Sequence, residues 1–554
     1  LIYSKIAFVQ SVLRYQANES LPYAEIKSFL LNIQQHPGKF ELSQHGFDDC
    51  GEPMLLVELN KKNDNQIKIL IMNAIHPGES EGTDACLEIV EQYIADKLSI
   101  PNNVSLHIIP VYNIGGYKNR KIFTRAGQNG PKEKGFRGNA LNYDLNRDFI
   151  KADTRNTFAF YRIFHQINPH IFIDTHTSNG ADYQHTLTLI ESQSDKYRFS
   201  IGNFIKNDFT PVILNRLKTI GVDVIPYVNI WGKSPENGYA QFLETARYST
   251  GYAALFGTIA YVTETHMLKP YPDRVEVTKQ FIIQSISEAS FQAETIHEER
   301  KIFYKELQQT NKIGINFTLD TSNYVNKNFK GYAYLPEKSK LGNYKIEKYH
   351  KEKPFEKLIK FYNFYKASDS VDIAKVYIIP SSQQKIIQRF LNSGVIMQKV
   401  YFPDSIWNVN SIYIKNYKTY SNPFEGHYLH YSTKTEKLKQ KLLFSDTIYL
   451  VNSNQNAKLF IAETLEAENV DSYFNWNFFD IILQQKEGYS DYQFEDEAKQ
   501  LLENFPEMRL LFDKWKNENP EKLNSKNEVL NYLFSISPYM EKEYMRIPIF
   551  SLED

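Results

Sequence analysis

Apolar residues in the first half of the chain gather in short runs separated by polar, glycine-bearing turns. IKILIMNAI (67–75) is a continuous apolar run of strand length; HPGESEG follows, and then Leu87, Val90, Ile94 and Leu98 recur at helical spacing. NVSLHIIPVYN (103–113) predicts a second strand ending in the turn-like IGGY, and a Gly/Asn- and charge-rich loop runs from about Gly115 to Gly138. TRNTFAFYRIFHQIN (154–168) places Phe158, Tyr161, Phe164 and Ile167 on one helical face, and Asn168-Pro169 stops it. HIFIDTH (170–176) and GTIAYVTETH (257–266) predict further strands, the latter broken at Lys269-Pro270. Strand, helix and strand in repetition predict an α/β domain with a largely parallel sheet.

A helical, acidic stretch at 288–307 closes this domain, and beyond about Ile315 the style changes. Residues 315–370 and 400–432 are rich in Tyr, Asn and Lys, with short strand-like runs. AKVYIIP (374–380), a helical segment and GVIMQKV (394–400) predict one βαβ unit. DTIYLV (446–451) and the helix after it predict a second half-unit, and the last hundred residues read as mostly helical. The expected organisation is a helical segment over 1–50 leading into the main domain, that domain over 51–310, and a C-terminal α+β region over 315–554. LIYSKIAFVQSVL at the start reads as an amphipathic helix in preference to the remnant of an export signal.

The 554 residues carry 64 Lys+Arg against 65 Asp+Glu, a net charge of −1, which removes the electrostatic reason to expect nucleic acid or an anionic membrane as main partner. No apolar stretch reaches the roughly 18 residues of a membrane span. With Cys50 and Cys86 the only cysteines, any metal must be held by His and carboxylates. The aromatic run YFNWNFFD (473–480) reads as an interface plug.

Ionisable residues fall at the strand ends. His76 ends the run 67–75, His176 ends 170–176, and Glu264 sits near the end of 257–266. In an open parallel sheet the crevice beyond the carboxyl ends of the strands is where ligands bind. Glu79, three residues after His76, can turn back beside it. Taken singly, each has an ordinary explanation: a hydrogen-bonded histidine, or an acid complementing a helix N-terminus. Together they fit a catalytic zinc site, which takes three protein ligands, here His76, Glu79 and His176, and leaves a position for water. A separate carboxylate must take the water's proton, and Glu264 fits that role. Asp174 shares a strand face with His176, as an acid that orients it or as a plain buried acid; His266, on the face of Glu264, reads as substrate-adjacent or structural.

These residues resemble the zinc carboxypeptidases of the carboxypeptidase A type, as a bacterial member with a large C-terminal extension. HPGE (76–79) looks like the family's metal motif, His176 in IDTHTSNGADY like its distal ligand, and Glu264 in YVTETHMLKP like its general base. The resemblance covers about residues 67–275 and implies a mixed, mostly parallel twisted sheet with helices on both faces. It implies a zinc metallocarboxypeptidase holding one Zn2+ and taking peptides with a free C-terminal carboxylate. LNYDLNRDF (141–149) resembles the Asn-Arg pair that grips this carboxylate, Asn146 and Arg147. The loop NRKIFTRAGQNGP should hold the oxyanion-stabilising arginine, Arg125 in preference to Arg120; RYSTGY (247–252) should supply the substrate-facing tyrosine, Tyr248 in preference to Tyr252. The family also suggests a secreted or periplasmic location.

Two other chemistries fit parts of the pattern. A zinc deacylase of N-acyl amino acids would share His-x-x-Glu and a distal His. GESEG (78–82) matches a nucleophile elbow, which would make Ser80 a hydrolase nucleophile, but the flanking Glu79 and Glu81 would oppose its oxyanion.

Overall fold

The computed structural model describes residues 11–34, 38–197, 200–401 and 404–552. The expected N-terminal helix falls mostly on residues 1–10, outside the described residues. An eight-stranded sheet organises the first half. Its strands are β1 (Phe40–Phe47), β2 (Pro53–Leu59), β3 (Ile67–Met72), β4 (Val104–Ile109), β5 (Ile171–Ser178), β6 (Leu187–Glu191), β7 (Ile225–Pro226) and β8 (Ile259–His266), in the spatial order β1-β2-β4-β3-β5-β8-β6-β7. The pairs β4/β3, β3/β5, β5/β8 and β6/β7 are parallel; β1/β2, β2/β4 and β8/β6 are antiparallel. The sheet is mixed, and its central strands are parallel, as the pattern predicts. Its first strand, β1, already lies within residues 1–50, where the described helix is Tyr23–Ile33.

Continuous apolar runs form the central strands because both sheet faces are covered. In β3, Leu70 and Met72 join the core under the helix Arg155–Ile167, while Ile67, Ile69 and Ile71 join the opposite core under the helices Glu81–Ile94 and Tyr271–Phe291. The helix Arg155–Ile167 is delimited as its sequence indicates: the Thr154 hydroxyl accepts from the Thr157 N–H, and Asn168 ends it in the left-handed region (φ 53°) ahead of Pro169. The helix after β3 stops at Ile94, so Leu98 lies beyond it. The closing stretch is two consecutive helices, Tyr271–Phe291 and Ala293–Gln309.

The C-terminal half departs from the short-strand expectation. Val325–Lys338 and Lys345–Tyr362 form one long ribbon, and Ser405–Thr419 and His430–Phe444 another. Their half-exposed strands, dense in Lys and Tyr, show little apolar alternation from which to read length. The segments Val376–Pro380 and Gln398–Tyr401 flank the helix Gln384–Asn392 but are not sheet neighbours: Thr447–Asn452 lies between them, antiparallel to both. A strand contributed from about 50 residues downstream is invisible to local periodicity. The core under Arg155–Ile167 continues without a break into this half, taking in Tyr377, Phe390, Phe460, Tyr473 and Trp476. Two of these, Tyr473 and Trp476, come from the predicted aromatic plug.

Candidate active site

The three strand ends converge. A tight turn follows β3: the Glu79 N–H donates to the His76 carbonyl (2.8 Å), so both side chains leave the same turn. Gly78 is needed there, because a Cβ would come within 2.2 Å of the Arg125 Cδ. β5 is the parallel neighbour of β3 and carries His176 to the same edge. His76 Nδ1 lies 3.2 Å from Glu79 Oε1, and His176 Nδ1 lies 3.1 Å from Glu79 Oε2. One ligand-type atom from each of the three residues falls within 4.8 Å of the others, and all three residues are buried.

Each histidine has an acid behind it. His76 Nε2 is hydrogen-bonded to Asp144 Oδ1 at 3.0 Å; an ionised carboxylate can only accept, so Nε2 is the donor and Nδ1 is the nitrogen turned toward Glu79. That Nδ1 is buried and has no hydrogen-bond partner. His176 Nε2 lies 3.0 Å from Asp174 Oδ2, and that oxygen accepts from the Ser249 hydroxyl (2.5 Å). Two imidazoles and a carboxylate so placed could hold a metal ion, and zinc is one that takes such a donor set, with acids supporting the imidazoles from behind.

Burial pushes the Glu79 carboxyl up, but Arg125, His76 and His176 together hold it well below the usual range. His176 is held well above the usual histidine value: burial opposes its charge, and Asp174 and Glu79 outweigh that. Glu264, the register partner of His176, is pushed up to about 8 by burial, against the pull of His176 and with the repulsion of Glu79 and Asp174.

A cavity of about 570 Å³ opens over these groups. Arg125, Asn146, Arg147, Tyr248 and Glu264 all line it, together with His76, Glu79 and His176. The Arg147 guanidinium lies 4.7 Å from the Tyr248 ring centroid, and Nη1 donates to the Asn146 carbonyl (2.8 Å). Arg125 is heavily engaged: Nη1 donates to Glu79 Oε1 (2.7 Å), Nη2 to the Thr177 carbonyl (3.1 Å), and Nε to Gln128. Ile190, Phe242, Thr250 and Val262 supply its less polar wall.

The alternatives weighed from sequence lie elsewhere. Arg120 donates to Ser20, Leu21 and Glu133 carbonyls, away from the cavity. Tyr252 is buried, stacked on Tyr161 and hydrogen-bonded to His165. His266 is fully buried with Nε2 on the Ala181 carbonyl, a structural role. Ser80 is fully buried, and its hydroxyl donates to the Pro77 carbonyl, out of reach of a substrate.

Three residues escaped the sequence reading. Asp144 stands two residues before Asn146, and its spacing to that pair was the available signal. Arg137 lines the cavity; its Nε and Nη2 donate to Asp144 Oδ2 (3.1 and 2.8 Å), and its Nη1 stands 4.0 Å from Glu79. Tyr227 also lines it, with its hydroxyl raised by burial and by Glu264.

Residues 26–193 match the family model described as zinc carboxypeptidase. Among curated proteins none matches the chain. Solved structures with a similar arrangement include carboxypeptidase A from Helicoverpa armigera, at 14% identity over 51% of this chain and 76% of that one (TM-score 0.38). A metallo-carboxypeptidase from Burkholderia cenocepacia matches at 16% identity over 50% and 70% (0.37). One from Pseudomonas aeruginosa, in complex with (2-guanidinoethylmercapto)succinic acid, matches at 13% over 49% and 69% (0.36).

Proposed function

We propose, for a chain that carries a zinc carboxypeptidase domain and is on that ground a metallocarboxypeptidase, that His76, Glu79 and His176 hold one Zn2+ and that Glu264 is the general base for removing C-terminal residues from peptides. The observation that carries this reading is the convergence of the three ligand-type residues at the carboxyl ends of β3 and β5, with Glu264 alongside on β8. Bound there, the ion would supply Lewis acidity toward the scissile carbonyl and lower the pKa of a water.

Arg147, beside Asn146, offers a planar fork that matches the two oxygens of a terminal carboxylate. Tyr248, packed against Arg147, would close over the residue being released. The side chain of that residue would lie along Ile190, Phe242, Thr250 and Val262. Glu264 would accept the proton from the attacking water and return it to the leaving amine.

Arg125, expected as the oxyanion donor, shares the task with Arg137 in our reading. Arg125 also braces Glu79, whereas Arg137 keeps Nη1 free of any close acceptor and so has a donor to spare.

Three guanidinium groups around one cavity also suit a substrate bearing a second anionic group, which keeps deacylation of N-acyl amino acids as a second reading. Turnover of a panel of unblocked peptides, C-terminally amidated peptides and N-acyl amino acids, with and without zinc, tests both. Release of C-terminal residues from unblocked peptides alone supports the carboxypeptidase. Turnover confined to N-acyl amino acids would replace it with the deacylase. A secreted or periplasmic location remains part of the proposal, on the family resemblance alone.

A further inference from the structure

The cavity lining ends at Met267, so the described C-terminal half contributes no side chain to it. That half nevertheless reaches both acids that stand behind the histidines. Glu425 Oε2 accepts from the backbone N–H of Asp144 at 2.9 Å, across 281 residues of chain. Asp144 is the partner of His76. On the other side, Asp471 accepts from the Arg247 N–H through Oδ2 (3.0 Å) and from Arg247 Nε through Oδ1 (2.7 Å). Arg247 is two residues before Ser249, whose hydroxyl donates to Asp174 beside His176.

Glu425 is half-buried, and the Asp471 anchor lies in the interior. Asp471 is fully buried, also accepts from Trp476 Nε1 (3.2 Å), and the Arg247 guanidinium lies 4.9 Å from the Trp476 ring. The segment after Asp144 is held by the same half of the molecule. Arg389 donates to the carbonyls of Lys151 (2.6 Å) and Ala152 (3.0 Å), and His427 Nε2 bonds Asp153 (2.7 Å). Within the stretch from Asp144 to Asp153, Asp144 caps the three-residue turn Leu145–Arg147, its Oδ1 accepting from the Asn146 N–H (3.0 Å), so Glu425 holds the backbone at the start of that cap.

We propose that Glu425 and Asp471 are positioning residues, through which the C-terminal half sets the orientation of His76 and His176 at the candidate metal centre. This rests on reading that centre as a zinc site. An imidazole ligand is aimed by the acid on its far nitrogen, and losing such a support commonly costs about 10- to 100-fold in metal affinity. Here Glu425 holds the backbone of Asp144 directly, and Asp471 holds Arg247, two residues before the Ser249 whose hydroxyl donates to Asp174.

The test uses the full-length protein and variants Glu425→Ala, Glu425→Gln and Asp471→Asn. Asp471→Asn keeps the size of the side chain and one acceptor oxygen, and removes the ion pair with Arg247 together with one of its two acceptors. Zinc dissociation constants from competition with a chromophoric chelator are read beside kcat, KM and the unfolding temperature. Glu425→Ala should weaken zinc binding about tenfold and lower kcat, with an unfolding temperature close to that of the unaltered protein. Glu425→Gln, whose amide oxygen still accepts from the Asp144 N–H, should restore most of both. Asp471→Asn should weaken zinc binding in the same direction. Unaltered zinc affinity in both Glu425→Ala and Asp471→Asn overturns the proposal, as do equal losses in Ala and Gln that track the unfolding temperature. If the unaltered protein itself binds no zinc, the reading of the metal centre fails instead.

Discussion

His176 and Glu264 are register partners on the adjacent parallel strands β5 and β8, so an imidazole and a carboxylate leave the sheet edge side by side. Neighbouring strands lie about 4.8 Å apart. That spacing suits the proposed roles of His176 as ligand and Glu264 as base, which need not compete for the same point. Glu264→Gln keeps the shape and removes the base. Its kcat should fall by about 10² to 10⁴ while zinc affinity, measured by chelator competition, is retained. Loss of zinc together with activity would make Glu264 a ligand instead.

Removal of the metal is a separate test. Dialysis against a chelator should abolish peptide hydrolysis, and zinc should restore it. At zinc about 1,000 times its Kd, the folded state gains about 4 kcal/mol, visible as a raised unfolding temperature. His76→Ala and His176→Ala should lose that zinc-dependent shift. Full activity after verified stripping would contradict the zinc reading.

Arg147→Ala should lower kcat/KM for unblocked peptides by roughly 10- to 100-fold, the scale of a single hydrogen bond to a charged group. Arg147→Lys should recover only part, because an ammonium lacks the planar fork. Amidating the peptide C-terminus should cost the unaltered enzyme much and the Arg147→Ala variant little. Additive losses would place the carboxylate elsewhere.

Arg137 and Arg125 should separate kinetically. Arg137→Ala should cut kcat by about 10² to 10³, the usual result of losing an oxyanion donor, with zinc affinity retained. Arg125→Ala should change zinc affinity as well, since Arg125 shares Glu79 Oε1 with the candidate metal centre. The reverse outcome would exchange the two roles.

Asp84, fully buried in the helix Glu81–Ile94 with Tyr271 donating to Oδ2 (2.6 Å), is pushed up to about 7 by burial. Its folded-state value lies above its unfolded one, so the folded protein binds this proton more tightly. The stability it contributes is full below about pH 4 and is lost as pH rises through about 7. Asp84→Asn removes that loss. Denaturant unfolding should find the variant more stable than the unaltered protein by about 1–3 kcal/mol at pH 8, with the difference vanishing near pH 4. Equal stability at both pH values would show that Asp84 stays ionised in the folded state.

Legibility differed by element. The strands β3, β5 and β8 could be read because their apolar runs are continuous, and burial on both sheet faces demands this locally. The helix Arg155–Ile167 could be read to within a residue because Thr154 and Asn168-Pro169 mark its ends. The two long C-terminal ribbons could not, since exposed strands need no apolar alternation. Nor could the strand Thr447–Asn452, inserted between Val376–Pro380 and Gln398–Tyr401 by pairing across the chain.

The same division holds at the site. Sequence by itself placed His76, Glu79, His176 and Glu264 in or just after the central strands, because apolar runs and a three-residue spacing are local properties, although β3 ends at Met72, before His76, and β5 runs past His176 to Ser178. Only the tertiary structure decided that Asp144 stands behind His76, that Arg137 joins Arg125 over the cavity, and that Glu425 and Asp471 reach in from the C-terminal half. Those side chains sit on irregular segments, whose conformation is set by distant contacts and not by any pattern in their own residues.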